Sequence, residues 1–254
     1  MKQSENLVLF KEENSVATLT LNRPKKFNAL SDEMLTTLQN ILDNISVIDS
    51  IRIIIIQGSG KAFCAGHDLK EMIATREEIY YKKLFMKCSK MMMTINQMPQ
   101  LVIAKVHGIA TAAGCQLVAA CDLAIASKEA RFATSGINIG LFCSTPAVPI
   151  SRNISRKRSL ELLLTGEFID SVTTQNWGLI NRIASQDKLN YELQKLVDVI
   201  LSKPTKALQT GKKMFYKQLE LNMEDAYAYA SRVMACNMME EEVYEGTESF
   251  LKNK

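Results

Sequence analysis

The chain has 254 residues, of which 47% are hydrophobic and 23% are charged. This length and composition predict one substantial hydrophobic core and exclude a globally disordered chain. The net charge of +4 suits an anionic ligand but lacks the dense basic stripe that is typical of nucleic-acid binding.

The cysteines and the apolar runs indicate the cellular compartment of such a chain. Six cysteines are scattered along the sequence, several of them inside apolar runs, which is typical of a reduced protein with buried thiols. Residues 1–16 contain neither a hydrophobic signal core nor an Arg-rich presequence. No apolar run is long enough to span a bilayer. We therefore expect a cytoplasmic protein with no membrane partner.

The first elements in chain order are a strand, a loop, a helix and a second strand. Alternation over Val16–Leu21 predicts the first strand, and the segment LNRPKKFNAL, broken by Pro24, follows as a loop. Ser31 has the character of an N-cap, and apolar residues at helical spacing between 34 and 45 predict one buried helical face. The continuous apolar run 51–56 predicts a strand buried on both faces.

The same alternation continues as far as about residue 184. The patterns predict helices over 76–97, 113–120 and 155–164, strands over 101–106, 123–126 and 179–184, and a short helix that Ser171 caps and Gly178 ends. This order indicates an α/β fold. Strand signals then stop, and helical patterns follow at 188–201, 205–220 and 224–250. We divide the chain into a core, 1–200, and a C-terminal helical region, 201–254.

Several motifs have simpler interpretations than a functional site. QGSGKAF, at 57–63, matches neither a P-loop nor GxGxxG, so a plain turn is favoured. Cys64 and His67 have ligand-like spacing, but the chain has only two histidines and no second pair at metal spacing, so we expect no metal. The Met-rich run 90–98 is more typical of core than of an acyl pocket, although both remain open.

Two turns made of small residues carry the stronger signal. FCAGHDLKEM, at 63–72, follows a buried strand and leads into a helix at Asp68, and the turn 110–114 is its counterpart after the next strand. Each turn exposes backbone N–H groups at a helix start, where negative charge is favoured. Side by side, they could direct two N–H groups at one carbonyl oxygen.

The chain resembles the enoyl-CoA hydratase/isomerase family, the crotonases. The resemblance rests on LNRPKKFNAL, KAFCAGHDLKEM, HGIATAAGCQLVAACDLAIAS, ARFATSGINIGL and LLLTGEFID, in the family's order and spacing. It implies a spiral of repeated ββα units with C-terminal helices, assembled as a homotrimer or a dimer of trimers. It also implies an acyl-CoA or enoyl-CoA thioester as ligand, with coenzyme A as part of the substrate and no separate cofactor.

The resemblance assigns roles to residues of both turns. His67 and Ala113 would supply the two N–H groups of an oxyanion hole, as catalytic groups acting through the backbone. The segment Lys25 to Phe27 would lie along the CoA. The other CoA-lining positions implied are Ala65, through its carbonyl, Asp68, Leu69 and Lys70.

Two departures from the family pattern put hydratase chemistry in doubt. Hydratases of this family use two glutamates, and these would fall at Gln116 and Gly136. An amide does not ionise near neutral pH, so Gln116 cannot be a general base, although it can orient water or substrate. Ser144 stands where other members carry an aspartate, and the His67 ring could titrate near neutrality if it faced the cavity.

Three functions therefore remain open. The first is enolate chemistry on an acyl-CoA in fatty acid metabolism, with an unidentified base. The second is a non-catalytic acyl-CoA-binding protein. The third and weakest is nucleic-acid binding through SRNISRKRS at 151–159, a run that is more typical of one solvated helix start.

Overall fold

Strands and helices alternate along most of the chain in the computed structural model, which describes residues 6–252. These residues form ten strands: β1 (Val8–Glu13), β2 (Val16–Leu21), β3 (Ile53–Gly58), β4 (Ala62–Cys64), β5 (Leu101–Val106), β6 (Ile109–Thr111), β7 (Leu123–Ser127), β8 (Arg131–Ala133), β9 (Ile169–Asp170) and β10 (Arg182–Ala184). The helices within the same range are α1 (Asp32–Ser46), α2 (Leu69–Ala74), α3 (Glu78–Gln97), α4 (Ala113–Ala120), α5 (Ser144–Asn153), α6 (Arg156–Thr165), α7 (Ser171–Trp177), α8 (Leu189–Leu201), α9 (Thr205–Gln218), α10 (Met223–Met238) and α11 (Glu241–Lys252).

A six-stranded sheet forms the centre of the fold, with the order β1-β2-β3-β5-β7-β10. β1 is antiparallel to β2, and every other neighbouring pair in this sheet is parallel. Four consecutive isoleucines, 53–56, are buried in β3. A continuous apolar strand of this kind is expected where both faces of a parallel sheet are covered.

A smaller four-stranded sheet, β4-β6-β8-β9, extends the central one. β4, β6 and β8 each follow a strand of the central sheet after a short turn, and β4 and β6 lead directly into α2 and α4. This is the repeated ββα unit that the resemblance implies. The mixed α/β fold with parallel sheets is confirmed, and the repeats bring the ends of β4 and β6 side by side.

The two faces of the central sheet have separate apolar layers. The larger layer joins α1, α3 and α4 to the sheet, with Leu35, Leu38 and Leu42 of α1 fully buried or nearly so. The smaller layer packs α8 on the opposite face, where Leu193 and Val197 meet isoleucines of β3, β5 and β7. The smaller and larger layers together position the strand ends that carry the two turns.

The helices after α8 pack less deeply. Lys212 is the one buried residue of α9, and neither α10 nor α11 has a buried residue within the part of the chain that is described. Large apolar side chains of α10 are exposed, among them Met223, Tyr227 and Met234. Within residues 6–252, none of the helices combines the length with the hydrophobicity that a membrane-spanning segment needs.

Most predicted elements occur where expected, with shifts at their ends. The predicted strand 51–56 lies at Ile53–Gly58, and the predicted strand 179–184 is only Arg182–Ala184. Asp170, not Ser171, caps α7, because the Asp170 side chain accepts the N–H of Thr173. The predicted helix 224–250 is two helices, α10 and α11. Residues 1–5, part of the segment predicted to lack a leader, lie outside the described residues, and the division at residue 200 stays a prediction.

Candidate active site

The CAGHD turn is held against the segment that follows β2. The N–H of Ala65 donates to the carbonyl of Phe27 over 3.0 Å, and the N–H of Leu30 donates to the carbonyl of Gly66 over 2.8 Å. Asn28 is fully buried, and its Nδ2 donates to the carbonyls of Ser59 and Ala62, each over 2.8 Å. Phe27 and Ala65, two of the predicted CoA-lining positions, are therefore brought together, and Lys25 lies two residues before Phe27 in the same segment.

The second turn starts α4 and touches the first. Ala112 has φ 51° and ψ −120°, a backbone conformation that non-glycine residues rarely adopt and that costs of order 1–3 kcal/mol. Gly66 has φ +92°, and a Cβ on Gly66 would lie 2.9 Å from the Cβ of Ala112 and 3.2 Å from the nitrogen of Ala113. The close approach of the two turns therefore depends on glycine at position 66.

Two backbone N–H groups flank this contact. The N–H groups of His67 and Ala113 follow Gly66 and Ala112 directly, and neither has an acceptor among the hydrogen bonds of residues 6–252. Ala113 is the first residue of α4, so its N–H belongs to the positive end of the helix dipole. Such a pair of donors can stabilise negative charge that develops on one oxygen atom.

The ring of His67 lies away from solvent, against α3. It packs edge-on against Phe85 with a centroid distance of 5.4 Å, and both ring nitrogens are buried without a hydrogen bond that meets standard geometry. Burial lowers the pKa of His67 to about 4, with the Leu30 carbonyl opposing the shift. The condition under which this ring would titrate near neutrality, that it faces the cavity, is therefore not met, and burial keeps the imidazole neutral at pH 7.

Lowering the pH from about 7.5 to about 4.5 is expected to reduce the free energy of unfolding by about 2–3 kcal/mol, because His67 protonates more readily in the unfolded chain. The folded pKa, about 4, lies below the ordinary 6.5, so the unfolded chain binds the proton first as the pH falls. The contribution is complete above about pH 6.5 and is lost towards pH 4. Urea unfolding of the wild type and of His67→Leu across this range measures the contribution as the change in their stability difference. Parallel stability curves for the two proteins would contradict the assignment.

The two positions of the expected glutamates differ in how much room they have. Gln116 is 2% exposed on α4, and its Oε1 has no hydrogen-bond partner in the described chain. At Gly136, a Cβ would lie 2.6 Å from the carbonyl oxygen of Leu141 and 2.8 Å from Sγ of Cys143. The N–H of Leu141 donates to the carbonyl of Gly136 over 3.0 Å, which holds this loop closed. A glutamate could stand at position 136 only if the loop moved.

The nearby polar groups are poor substitutes for a base. Burial raises the pKa of the Cys143 thiol, and burial raises the pKa of Cys64 to about 12. Ser144 is the first residue of α5, and its hydroxyl donates to the carbonyl of Phe142. Neither thiol is ionised at neutral pH, and within residues 6–252 the serine hydroxyl is hydrogen-bonded to a backbone carbonyl and to no basic side chain.

Most of the residues predicted to line the CoA are exposed, whereas one of them already has partners within the protein. Lys25 and Lys70 are exposed, and Phe27 and Leu69 are each about half exposed. Asp68 is different, because it caps α2 and pairs with Arg23 over 2.9 Å. Burial raises the pKa of Asp68, but Arg23 and the α2 N–H groups outweigh burial and lower it overall. Sequence reasoning missed Arg23 and Asn28, although both belong to the quoted LNRPKKFNAL motif.

A cavity of about 1420 Å³ lies at the other end of α4. Gln116, Ala119 and Ala120 of α4 line it, together with Met92 and Met98 from the Met-rich segment. Met91, in contrast, is fully buried in the core. The Met-rich run therefore contributes to the core and to a cavity wall, and whether that cavity holds an acyl chain stays a prediction. One helix carries the Ala113 N–H at its start and forms part of the cavity wall further along.

Known proteins share both the sequence pattern and the fold. A family model described as enoyl-CoA hydratase/isomerase matches residues 11–254. Human enoyl-CoA hydratase domain-containing protein 3, mitochondrial, is 40% identical over 241 residues, which cover 95% of this chain and 80% of the relative. The rat protein of the same name is 38% identical over 244 residues, with 96% and 81% covered.

Solved structures agree with these relatives. The crystal structure of an enoyl-CoA hydratase from Mycobacterium smegmatis has a TM-score of 0.96 and 50% identity, with 98% of each chain covered. That of human enoyl-CoA hydratase domain-containing protein 3 has a TM-score of 0.94 and 38% identity, with the same coverage. The chain belongs to the enoyl-CoA hydratase/isomerase family. Within that family, it is similar to domain-containing protein 3 of vertebrates.

Proposed function

We propose that this chain binds an acyl-CoA thioester and stabilises the enolate form of its acyl group between the N–H groups of His67 and Ala113. The observation that carries the proposal is the contact at Gly66, which leaves two N–H groups side by side without acceptors in the described chain. In an enolate the negative charge lies on the thioester oxygen. Fixed donors at that oxygen lower the barrier to enolate formation, because they need no reorganisation.

The exposed residues near the first turn fit the rest of a CoA molecule. Lys25 and Lys70 are exposed ammonium groups that can pair with phosphates as flexible point charges. Phe27 and Leu69 offer exposed apolar surface beside them, and the Ala65 carbonyl can accept from an adenine amino group. Asp68 acts indirectly in this proposal, because its carboxylate is already engaged by Arg23 and by α2.

A second function, acyl-CoA binding without turnover, is favoured by the two missing acids. Gln116 cannot ionise, and a side chain at Gly136 would collide with the Leu141 carbonyl oxygen. Loss of a general acid or base typically lowers a rate by about 10²–10⁴-fold. The backbone donors do not depend on either side chain, so thioester binding survives in both functions.

Replacing Gly66 by alanine is expected to weaken acyl-CoA binding by about tenfold or more. The added methyl would occupy the space 3.2 Å from the Ala113 nitrogen and push the two turns apart. Gly178→Ala is the matched control, because Gly178 also has φ +92° but meets only one atom, at 3.7 Å. Calorimetry with butyryl-CoA measures both variants against the wild type.

The outcomes separate the proposals. Wild-type protein that binds no acyl-CoA thioester, or equal affinities for the two alanine variants, would remove the proposed site. The absorbance of crotonyl-CoA then distinguishes enzyme from binder, because hydration removes the conjugated enoyl thioester. Rapid hydration that depends on this protein would show that another group supplies the base, and binding without conversion of any acyl-CoA in a broad panel would favour the second function.

We also propose a homotrimer or a dimer of trimers, in a reducing compartment such as the cytoplasm. Exposed apolar side chains on α10 support assembly, since large exposed apolar patches mark interfaces. All six cysteines are free, and five of them are buried, which suits a reducing compartment. The rat and human relatives are named as mitochondrial proteins, and that location is theirs. Light scattering and imaging of the tagged protein test these two assignments.

A further inference from the structure

His67 forms a short parallel bridge with Leu30, in the segment that follows β2. The N–H of Leu30 donates to the carbonyl of Gly66 over 2.8 Å, and the N–H of Asp68 donates to the carbonyl of Leu30 over 3.3 Å. In a parallel ladder, a residue that lies between two such bonds turns its own N–H away from the partner strand. The bonds to Leu30 therefore fix the direction of the His67 N–H and leave it free for a ligand.

One guanidinium group holds the chain on both sides of this bridge. Nη1 of Arg23 donates to the carbonyl of Ala29 over 2.7 Å, one residue before Leu30. Nη2 of Arg23 donates to Oδ2 of Asp68 over 2.9 Å, one residue after His67. A planar guanidinium presents its donors in a fixed geometry, so it holds the two acceptors at a fixed separation. The side chains of Arg23 and Asp68 are only 19% and 12% exposed, which limits screening of the pair by water and salt.

Both partners of this ion pair are themselves fixed by further hydrogen bonds. Oδ1 of Asp68 accepts from the N–H groups of Lys70 and Glu71 at the start of α2, so each oxygen of the carboxylate has a separate task. The backbone N–H of Arg23 donates to Oδ1 of Asn28 over 2.9 Å, and Asn28 is fully buried. The guanidinium group is thus committed to the protein itself and does not serve as a free cation for a phosphate.

We propose that Arg23 is a positioning residue for the oxyanion hole, because through Ala29 and Asp68 it holds the His67 N–H in the direction that a thioester oxygen requires. The inference rests on the proposed binding of an acyl-CoA thioester and adds a residue that acts without touching the ligand. Fixed donors are effective only when they are accurately placed, and a displacement of about 1 Å can lower a rate about 100-fold. Loss of Arg23 should therefore reduce polarisation of the bound carbonyl more than it reduces affinity for CoA.

The stretching frequency of the thioester carbonyl measures this polarisation directly. Infrared difference spectra of butyryl-CoA, with and without an isotopic label at the thioester carbon, give this frequency for the ligand bound to the full chain. Hydrogen-bond donors at the oxygen lower the frequency, so the wild type should shift it below that of free butyryl-CoA. In Arg23→Met, we expect more than about half of this shift to be lost, while calorimetry shows free CoA bound within about threefold of the wild-type affinity.

Two further variants separate positioning from general stability. Asp68→Asn weakens the same ion pair from its other end while asparagine still caps α2, so it should lose the shift in the same direction. Arg52→Met is the matched control, because Arg52 also donates to two backbone carbonyls, those of Leu201 and Lys203, but lies at the opposite end of the central strands. It should keep the wild-type shift, and thermal unfolding confirms that each variant is folded.

The carbonyl shift gives a decision in each case. A wild-type shift in Arg23→Met, or in Asp68→Asn should Arg23→Met not fold, would overturn the positioning role and leave the proposed function intact. An equal loss of the shift in Arg52→Met would also overturn it, since destabilisation alone would then account for the effect. Wild-type protein that fails to bind butyryl-CoA, or binds it without any shift, would instead remove the proposed oxyanion hole and this inference with it.

Discussion

Replacing Gly114 by alanine is expected to destabilise the fold by at least about 4 kcal/mol, although alanine is the better helix former of the two. Gly114 is the second residue of α4, and a Cβ there would lie 2.0 Å from the carbonyl oxygen of Cys64. Cys64 ends a fully buried strand, β4, so its carbonyl has no free space to enter. The whole helix would have to withdraw from the strand. Urea unfolding followed by circular dichroism measures the loss.

A matched glycine separates this collision from helix propensity. Gly211 lies in α9, and a Cβ there meets nothing within 4 Å. Gly211→Ala should therefore stabilise the protein by up to about 1 kcal/mol, in the opposite direction to Gly114→Ala. If Gly114→Ala unfolded at the wild-type urea concentration, α4 could not be packed on β4 as closely as described.

The long amphipathic elements could be predicted from sequence because their signals are local. α1 begins after Ser31, whose hydroxyl accepts the N–H of Met34, and its apolar spacing identifies the buried face. The isoleucine run in β3 identifies a strand covered on both faces. In both cases the residues that define the element are adjacent or one helical turn apart.

The second sheet could not be predicted in this way. β4, β6 and β8 have only three residues each, which is too short to show a period, and their pairing partners are tens of residues away. α5 was missed because Pro146 and Pro149 both lie within it, and proline normally argues against a helix. The short strands and α5 are specified by tertiary pairing and packing, which no local pattern reports.

In the candidate site, too, the features that depend on adjacent residues could be predicted and those that depend on distant residues could not. Small residues in two turns led us to expect a close approach of their backbone N–H groups, since only small residues permit such an approach. The burial of the His67 ring depends on Phe85, which is remote from the turn in sequence. The obstruction at Gly136 depends on the closed form of its loop, which brings the Leu141 carbonyl oxygen close. The meeting of the two turns was therefore easier to predict than the environments of the side chains around them.

A buried ionic cluster joins α9 to the core. Lys212 of α9 donates to the carbonyls of Ile95 and Gln100 and to Asp122, over 2.6–2.7 Å. Asp122 also accepts from the N–H of Val102 over 2.7 Å and from the hydroxyl of Tyr216 over 2.8 Å. Side-chain exposure is only 3% for the lysine and 7% for the aspartate. Because Asp122 and Tyr216 also line the large cavity, this cluster fixes part of the cavity wall.

Replacing Lys212 by methionine is expected to lower the free energy of unfolding by about 3–5 kcal/mol, since it leaves the Asp122 carboxylate buried without its counter-ion. Burial lowers the pKa of Lys212 and raises that of Asp122, and the ion pair opposes both shifts. Without the ammonium group, two backbone carbonyls also lose their donor. Urea unfolding measures the loss, and hydrogen exchange should show α9 opening before the central sheet.

Two further variants show whether the charge itself is responsible. Lys213→Met changes the exposed neighbour in the same helix and should leave stability within about 0.5 kcal/mol of the wild type. Adding Asp122→Asn to Lys212→Met should recover part of the loss, because the uncompensated charge is removed. The Val102 N–H and the Tyr216 hydroxyl donate to different oxygens of Asp122, so the amide oxygen can keep the bond from Val102 while the amide NH2 group donates to the Tyr216 hydroxyl oxygen. Equal destabilisation by Lys212→Met and Lys213→Met would show that α9 is held by its apolar contacts instead, and the cavity wall would then not depend on the ion pair.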